Sequence, residues 1–281
     1  MTHSPPILQA CGLRVQLGHQ PVLDGLDLVL PEGRITAVIG PNGCGKSTLL
    51  RSLARLLKPQ TGQVLLDGQD IHRLSTREVA RRLGLLPQSA QAPAGIRVAE
   101  LVARGRFAHQ GLLRQWSEAD ARAVEQAMHA TCVAELAERA VDTLSGGQRQ
   151  RVWLALALAQ QTSVLLLDEP TTYLDLAHQI EILELCRTLN RDDGRTLVLV
   201  LHDLNQAARY ADHLVAMKDG AIAASGHPDA VLTPEVLARV FGVNARILRD
   251  PLHGTPLILI DGLGRVIHHQ GVARADKIRP I

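Results

Sequence analysis

The chain opens on an alternation. Leu13, Val15 and Leu17 fall on one side of an extended segment, and Arg14 and Gln16 on the other. That period of two is the pattern of a half-exposed strand. A second apolar run, Leu26 to Leu30, ends at the turn Pro31-Glu32-Gly33. Ile35-Thr36-Ala37-Val38-Ile39 is then apolar almost throughout and stops at Gly40, and the segment from Lys46 to Leu57 reads as a helix. Val164 to Leu167 and Leu197 to Leu201 are two more short buried strands, each followed by polar residues and a helical pattern. Buried strands alternating with helices predict an α/β fold with a mainly parallel sheet covered on both faces.

Between about residues 90 and 160 the strand pattern disappears. Val98 to Phe107 and Glu118 to Ala137 read as amphipathic helices, so this stretch is expected to be a helical insertion. Beyond residue 242 the texture changes again: Leu257-Ile258-Leu259-Ile260 reads as a strand, in a region broken by Pro251, Gly254 and Pro256. The expected division is one α/β unit over residues 6–242 and a short extension over 243–281 with no assigned role.

Composition narrows the classes. Hydrophobic residues make up 46% of the 281, enough for a large core, and with aromatics at only 2% that core rests on Leu, Val, Ile and Ala. Few rings and a net charge of +2 argue against a nucleic-acid partner. Cys11, Cys44, Cys132 and Cys186 form no CxxC pair, which fits a reducing compartment better than a disulfide framework or zinc site. The first residues, MTHSPPILQA, lack the basic and apolar regions of a signal peptide. No apolar run approaches the roughly 18–20 residues of a membrane span. A role at a membrane therefore requires docking onto another polypeptide.

Gly40-Pro41-Asn42-Gly43-Cys44-Gly45-Lys46-Ser47-Thr48 matches GxxxxGK[ST], placed between a buried strand and a helix. Its glycines let backbone amides curl around phosphate oxygens, and the helix start adds unpaired N–H groups. Lys46 is placed to reach the outer phosphates, and the Ser47 hydroxyl to ligate Mg²⁺. Cys44 reads as a small residue filling a loop position rather than as a reactive thiol. Val164-Leu165-Leu166-Leu167-Asp168-Glu169 ends a buried strand in two carboxylates. Asp168 there suits Mg²⁺, and Glu169 suits a general base that polarises an attacking water.

Leu144-Ser145-Gly146-Gly147-Gln148-Arg149-Gln150-Arg151 offers small residues ahead of a helix expected near Gln148, a second surface suited to an anion. The run resembles the signature of ATP-binding cassette (ABC) proteins. The resemblance covers about residues 7–242 and implies a P-loop NTPase fold: a mainly parallel core, an N-terminal antiparallel β subdomain and a helical insertion. Gln88, in Leu85-Leu86-Pro87-Gln88, matches the glutamine that touches Mg²⁺ and senses the γ-phosphate. Asp175 matches the D-loop. His202 lies 33 residues beyond Glu169 and opens His202-Asp203-Leu204, matching the switch histidine. At the position where many members stack an aromatic ring on adenine, this chain has Leu17.

The family resemblance implies two copies in a head-to-tail pair, each signature closing over ATP held by the other's P-loop. It further implies two membrane permease subunits, an extracellular or periplasmic binding protein, and a peripheral seat on the cytoplasmic face of a bacterial inner membrane. Asp168-Glu169-Pro170-Thr171-Thr172-Tyr173-Leu174-Asp175 with Ala177-His178-Gln179, Leu201-His202-Asp203-Leu204-Asn205-Gln206-Ala207-Ala208-Arg209-Tyr210, and Leu85-Leu86-Pro87-Gln88 resemble ATPases of iron–siderophore importers of the ferric dicitrate and ferrichrome type. Haem and cobalamin importers, and non-transport ABC ATPases such as those of iron–sulfur cluster assembly, are the alternatives. His253, His268 and His269 are expected to be solvated rather than to bind metal.

Overall fold

In the computed structural model, which describes residues 7–111 and 116–263, the first alternating stretches pair as two long antiparallel strands, β1 (Leu8–Leu17) and β2 (Gln20–Leu30). The buried run that follows is β3 (Ile35–Ile39), and α1 (Lys46–Leu53) starts at the end of the glycine-rich loop. Next come β4 (Thr61–Leu66), β5 (Gln69–Asp70), α2 (Thr76–Arg82) and β6 (Leu83–Leu86). The insertion carries α3 (Val98–Ala103), α4 (Glu118–Ala130) and α5 (Gly146–Ala159). The chain then returns to the core through β7 (Val164–Leu167), α6 (Leu176–Asp193), β8 (Thr196–Val200) and α7 (Leu204–Tyr210). It closes with β9 (His213–Lys218), β10 (Ala221–Gly226), α8 (Pro228–Val231), α9 (Pro234–Phe241), β11 (Val243–Arg249) and β12 (Pro256–Leu263).

Two sheets divide the work. An antiparallel sheet of order β2-β1-β4-β5 forms the N-terminal β layer, and the central sheet has the order β10-β9-β3-β8-β7-β6. In the central sheet every pair is parallel except β10 with β9. Parallel strands end together, so residues just beyond β3, β7 and β8 meet at one edge of the sheet. Ligands of open parallel sheets bind at that edge. One face of the sheet packs Leu49, Leu50 and Leu53 of α1 against the N-terminal β layer. The other packs the inner faces of α5, α6 and α7.

The structure departs from the sequence reading at several ends. α1 stops at Leu53 rather than Leu57, because Arg55 takes a left-handed backbone and the chain reverses before Pro59. The expected helix through Phe107 is α3 followed by a tighter turn over Arg104–Arg106. There Gly105 lies so close to α5 that a Cβ would stand 2.5 Å from the Leu156 carbonyl oxygen. α4 ends at Ala130, not Ala137: the Thr131 hydroxyl bonds back to the Ala127 carbonyl at 2.9 Å, and Cys132 is left-handed. Leu13 and Val15 are buried as the alternation requires, but Leu17 is 46% exposed. Register shifts between Leu13 and Gln16 mark bulges that turn the strand end outward.

After residue 242 the expected single strand is half of a hairpin, β11 against β12, which packs on α9 and α7. His268 and His269 lie outside the described residues. No helix among the described residues is long and apolar enough to cross a membrane.

Candidate functional site

The loop from Gly40 to Gly45 needs its glycines. A Cβ on Gly40 would lie 2.4 Å from the Met217 carbonyl oxygen, and one on Gly45 would lie 2.9 Å from a Leu23 methyl. Both glycines also hold positive φ. The loop therefore wraps tightly against β9 and β2, and Gly45, with no side-chain cap, leaves the first amides of α1 turned into the loop. The Lys46 ammonium is held at 2.8 Å from the Gly40 carbonyl and 2.9 Å from that of Pro41. Cys44 is buried, and burial pushes its thiol up, which disfavours the reactive thiolate.

Beside the loop opens a cavity of about 460 Å³. The loop side contributes Asn42, Gly43, Gly45, Lys46, Ser47 and Thr48; Gln88, Glu169 and His202 close the far side, and Leu17 and Val22 form an apolar wall. The structure thus brings together the phosphate loop, the candidate base and the candidate switch histidine, which are far apart in sequence. Leu17 lines the cavity as its alignment with the adenine position implies.

Asp168 and Glu169 differ in environment. Asp168 is buried and accepts a hydrogen bond from the Ser47 hydroxyl at 3.0 Å. Burial pushes its carboxyl up, and the nearby Glu169 adds to this; Ser47, Arg51 and Lys46 only partly oppose it. Glu169 follows in a left-handed backbone conformation, of the strained kind that clusters at functional sites. Its Oε1 lies 2.8 Å from His202 Nε2, and its Oε2 accepts from the Thr172 hydroxyl at 3.1 Å. Burial pushes Glu169 up, but the bond and attraction of His202, with the bonds from Thr172 and Gln88, outweigh it and hold the carboxyl below its usual range. Two adjacent carboxylates are driven apart, one toward the protonated state and one toward the ionised state.

The site's oxygen donors suit Mg²⁺. Ser47 and Asp168 converge, and Gln88 borders the same cavity. Among the described residues no group of three or more His, Cys, Asp or Glu side chains is placed to hold a metal ion. His253 pairs with Asp250 at 2.7 Å.

Leu144, Ser145, Gly146, Gly147 and Gln148 do not line this cavity. α5 starts two residues earlier than expected, with Ser145 as its cap. Ser145 Oγ accepts from the Gln148 amide at 3.2 Å, and Gln148 Oε1 accepts from the Ser145 amide at 3.1 Å. Both glycines therefore sit in the first turn, where amides lack helical partners. Gly146 borders a separate cavity of about 310 Å³ with Gln88, Trp153 and Tyr173. Asp175 caps α6, accepting from the His178 amide at 3.0 Å and facing His178 Nδ1 at 2.7 Å. Thr172 and Val22 are site residues that the sequence reading did not single out. Thr172 was visible only as part of a motif, and Val22 only as an ordinary strand residue.

Comparison with known proteins places the fold in a family. The profile described as ABC transporter matches residues 23–172. The ferric enterobactin transport ATP-binding protein FepC of Escherichia coli is 52% identical over 259 residues, covering 92% of this chain and 96% of that one. The achromobactin transport ATP-binding protein CbrD of Dickeya dadantii is 56% identical over 240 residues, covering 85% of this chain and 89% of its own length. Among solved structures, the dimeric bacterial ABC transporter cassette MJ0796 superposes with a TM-score of 0.71 at 27% identity, covering 79% of this chain and 98% of that one. A second dimeric structure of that cassette is bound to ADP and Pi. Phosphate loop, sheet order and sequence likeness over nine-tenths of the chain lead to one conclusion: the chain belongs to the ABC transporter family, as an ATP-binding cassette.

Proposed function

We propose that the chain is the ATP-hydrolysing subunit that powers import of a ferric siderophore through a membrane permease. The observation that carries the hydrolytic part is the Glu169 carboxyl, held at both oxygens, in the same cavity as the Lys46 loop. The names of FepC and CbrD, each similar over most of its length, support the cargo class.

In this reading two copies pair head to tail. Each holds ATP on Gly40–Thr48 beneath the partner's Leu144–Gln148, with Asp175 at the seam. Lys46 exchanges the carbonyls of Gly40 and Pro41 for the outer phosphate oxygens. Glu169 accepts a proton from the attacking water, and His202 contacts the γ-phosphate. Ser47, Asp168 and Gln88 would hold Mg²⁺, which neutralises phosphate charge when bound.

The permease needs a seat close to the nucleotide. An apolar groove of about 470 Å³ runs between the end of α1, α2 and β6, lined by Leu56, Val79, Leu85 and Pro87. Leu56 is 63% exposed there, and Pro87 adjoins Gln88, so a permease segment seated in the groove would press on the nucleotide site. The pair of ATPases would thus lie against the inner face of a bacterial membrane.

The test is uptake of radiolabelled ferric siderophores by cells whose own copy carries Glu169→Gln. Loss of uptake of one chelate, with ATP still bound by the variant, is the expected result. Undiminished uptake of every ferric chelate tried overturns the cargo.

A further inference from the structure

Ala177-His178-Gln179 and Leu204-Asn205-Gln206 belong to the stretches that resemble iron–siderophore ATPases, and their side chains engage one another and β12. Gln206 Nε2 donates to Gln179 Oε1 at 3.0 Å. Gln179 Nε2 donates in turn to the Leu174 carbonyl at 3.0 Å, in the loop that precedes Asp175. Asn205 binds elsewhere: its Oδ1 accepts from the Ile258 amide at 2.7 Å, and its Nδ2 donates to the Ile258 carbonyl at 3.4 Å. Asn205 thus meets both backbone groups of one β12 residue, as a neighbouring strand would.

These contacts lie close to the switch histidine. α7 begins at Leu204, two residues after His202, and Asp203 caps it by accepting from the Gln206 amide at 2.9 Å. Neither Asn205 nor Gln206 lines the nucleotide cavity. Another cavity, of about 400 Å³, is lined by His202 together with Phe241, Val243, Ile258 and Ile260. The C-terminal hairpin therefore borders the same cavity as the histidine, and Asn205 is the bonded link between them. Side-chain amides near a surface commonly turn to water. Here Asn205 and Gln179 each use both polar ends on protein partners, at the cost of rotamer freedom.

We infer that Asn205 and Gln206 are positioning residues for hydrolysis, and that the β11–β12 hairpin is a fixed buttress for His202. β12 grips the first turn of α7 through Asn205, and the loop before Asp175 grips it through Gln179 and Gln206. Together they set where His202 meets Glu169. The inference rests on the hydrolytic role proposed for His202. It gives residues 243–263 a task in the catalytic cycle and ties the partner-facing loop to the switch within one subunit. Small displacements matter at such a pair, because a misplacement of about 1 Å can cost on the order of a hundredfold in rate.

The experiment is single-turnover ATP hydrolysis by the full chain, comparing Asn205→Ala and Gln206→Ala, each with and without His202→Ala. Each single variant is expected to lower the rate at saturating ATP about three- to tenfold, with half-saturation shifted by less than about twofold. In the His202→Ala background neither is expected to cost more, because the group they position is gone. Asn205→Asp keeps the acceptor for the Ile258 amide and is expected to recover most of the rate. Unchanged rates in both single variants overturn the inference, and so do equal losses with and without His202. Should Asn205→Ala fail to fold, the Gln206 series decides alone. Full activity of His202→Ala by itself would instead remove the proposed role of the histidine.

Discussion

His202 Nε2 lies 2.8 Å from Glu169 Oε1. The two residues follow neighbouring parallel strands, β7 and β8, in which Leu167 is paired with Leu199. Glu169 and His202 each lie two residues beyond the end of their strand, so the sheet itself delivers them to one place. Together with Thr172, which holds the other oxygen, and Gln88, the histidine holds the Glu169 carboxyl below its usual range against the effect of burial.

That arrangement sets a pH dependence. Glu169 is held below the usual carboxylate range, so the base proposed for hydrolysis is expected to act until the pH falls through that lowered value. Thr172→Val removes one stabilising hydrogen bond and lets the carboxyl rise. The acid limb of hydrolysis against pH is then expected to move to higher pH, with neutral-pH activity little changed. A limb that stays in place or moves down contradicts the assignment of Glu169 as base.

Ser145→Arg separates the two phosphate-binding surfaces. Ser145 is exposed and lies off the nucleotide cavity, so ATP affinity is expected to persist while cooperative hydrolysis is lost. Loss of the helix cap costs about 1 kcal/mol as well, readable as a small drop in melting temperature. Loss of nucleotide binding by the isolated subunit would remove the reading in which the signature acts on a partner's ATP.

Leu17→Tyr restores a ring to the apolar wall of the cavity. Base–aromatic stacking is worth roughly 1–3 kcal/mol, so ATP is expected to bind about five- to a hundredfold more tightly. Titration with a fluorescent ATP analogue reads this directly. Hydrolysis at saturating ATP is expected to be unchanged.

Arg106 and Asp120 form a buried ion pair at 2.9 Å that locks α4 to the turn after α3. Arg106 also donates to the Ala159 carbonyl at 2.7 Å, at the end of α5. The Ser117 hydroxyl, helped by Arg106, holds the Asp120 carboxyl down at about 2. A lowered carboxylate contributes stability that is complete above its unfolded value of 3.8 and is lost as pH falls toward about 2. Asp120→Asn leaves Arg106 buried without its counter-charge, and is expected to cost about 3–5 kcal/mol in urea unfolding at neutral pH. The variant is also expected to show a shallower acid-side slope than the wild type, because Asp120's share is gone.

Much of the site could be read from the chain, because its parts are local. A glycine loop between strand and helix, and a strand ending in two carboxylates, carry their chemistry in consecutive residues. What escaped the sequence depends on packing between distant segments. The adenine-position match points Leu17 at the cavity, but its exposure does not follow from its alternation with Leu13 and Val15; bulges in β1 turn it outward. α1 and α4 end early at Arg55 and Cys132, residues with no intrinsic preference for the left-handed backbone they adopt. The bond from Thr172 to Glu169 follows from the turn after β7, and the pairing of Asn205 with Ile258 joins positions 53 residues apart.

The central claim is that Glu169 is the base of an ATP sandwich formed by two copies of the chain. Glu169→Gln, mixed with MgATP and sized by light scattering, tests it most directly. The expected result is ATP bound but hydrolysed about a hundred- to ten-thousandfold more slowly, with a stable dimer that appears with ATP and dissolves with ADP. Full turnover by the variant, or a monomer at saturating ATP, contradicts the account.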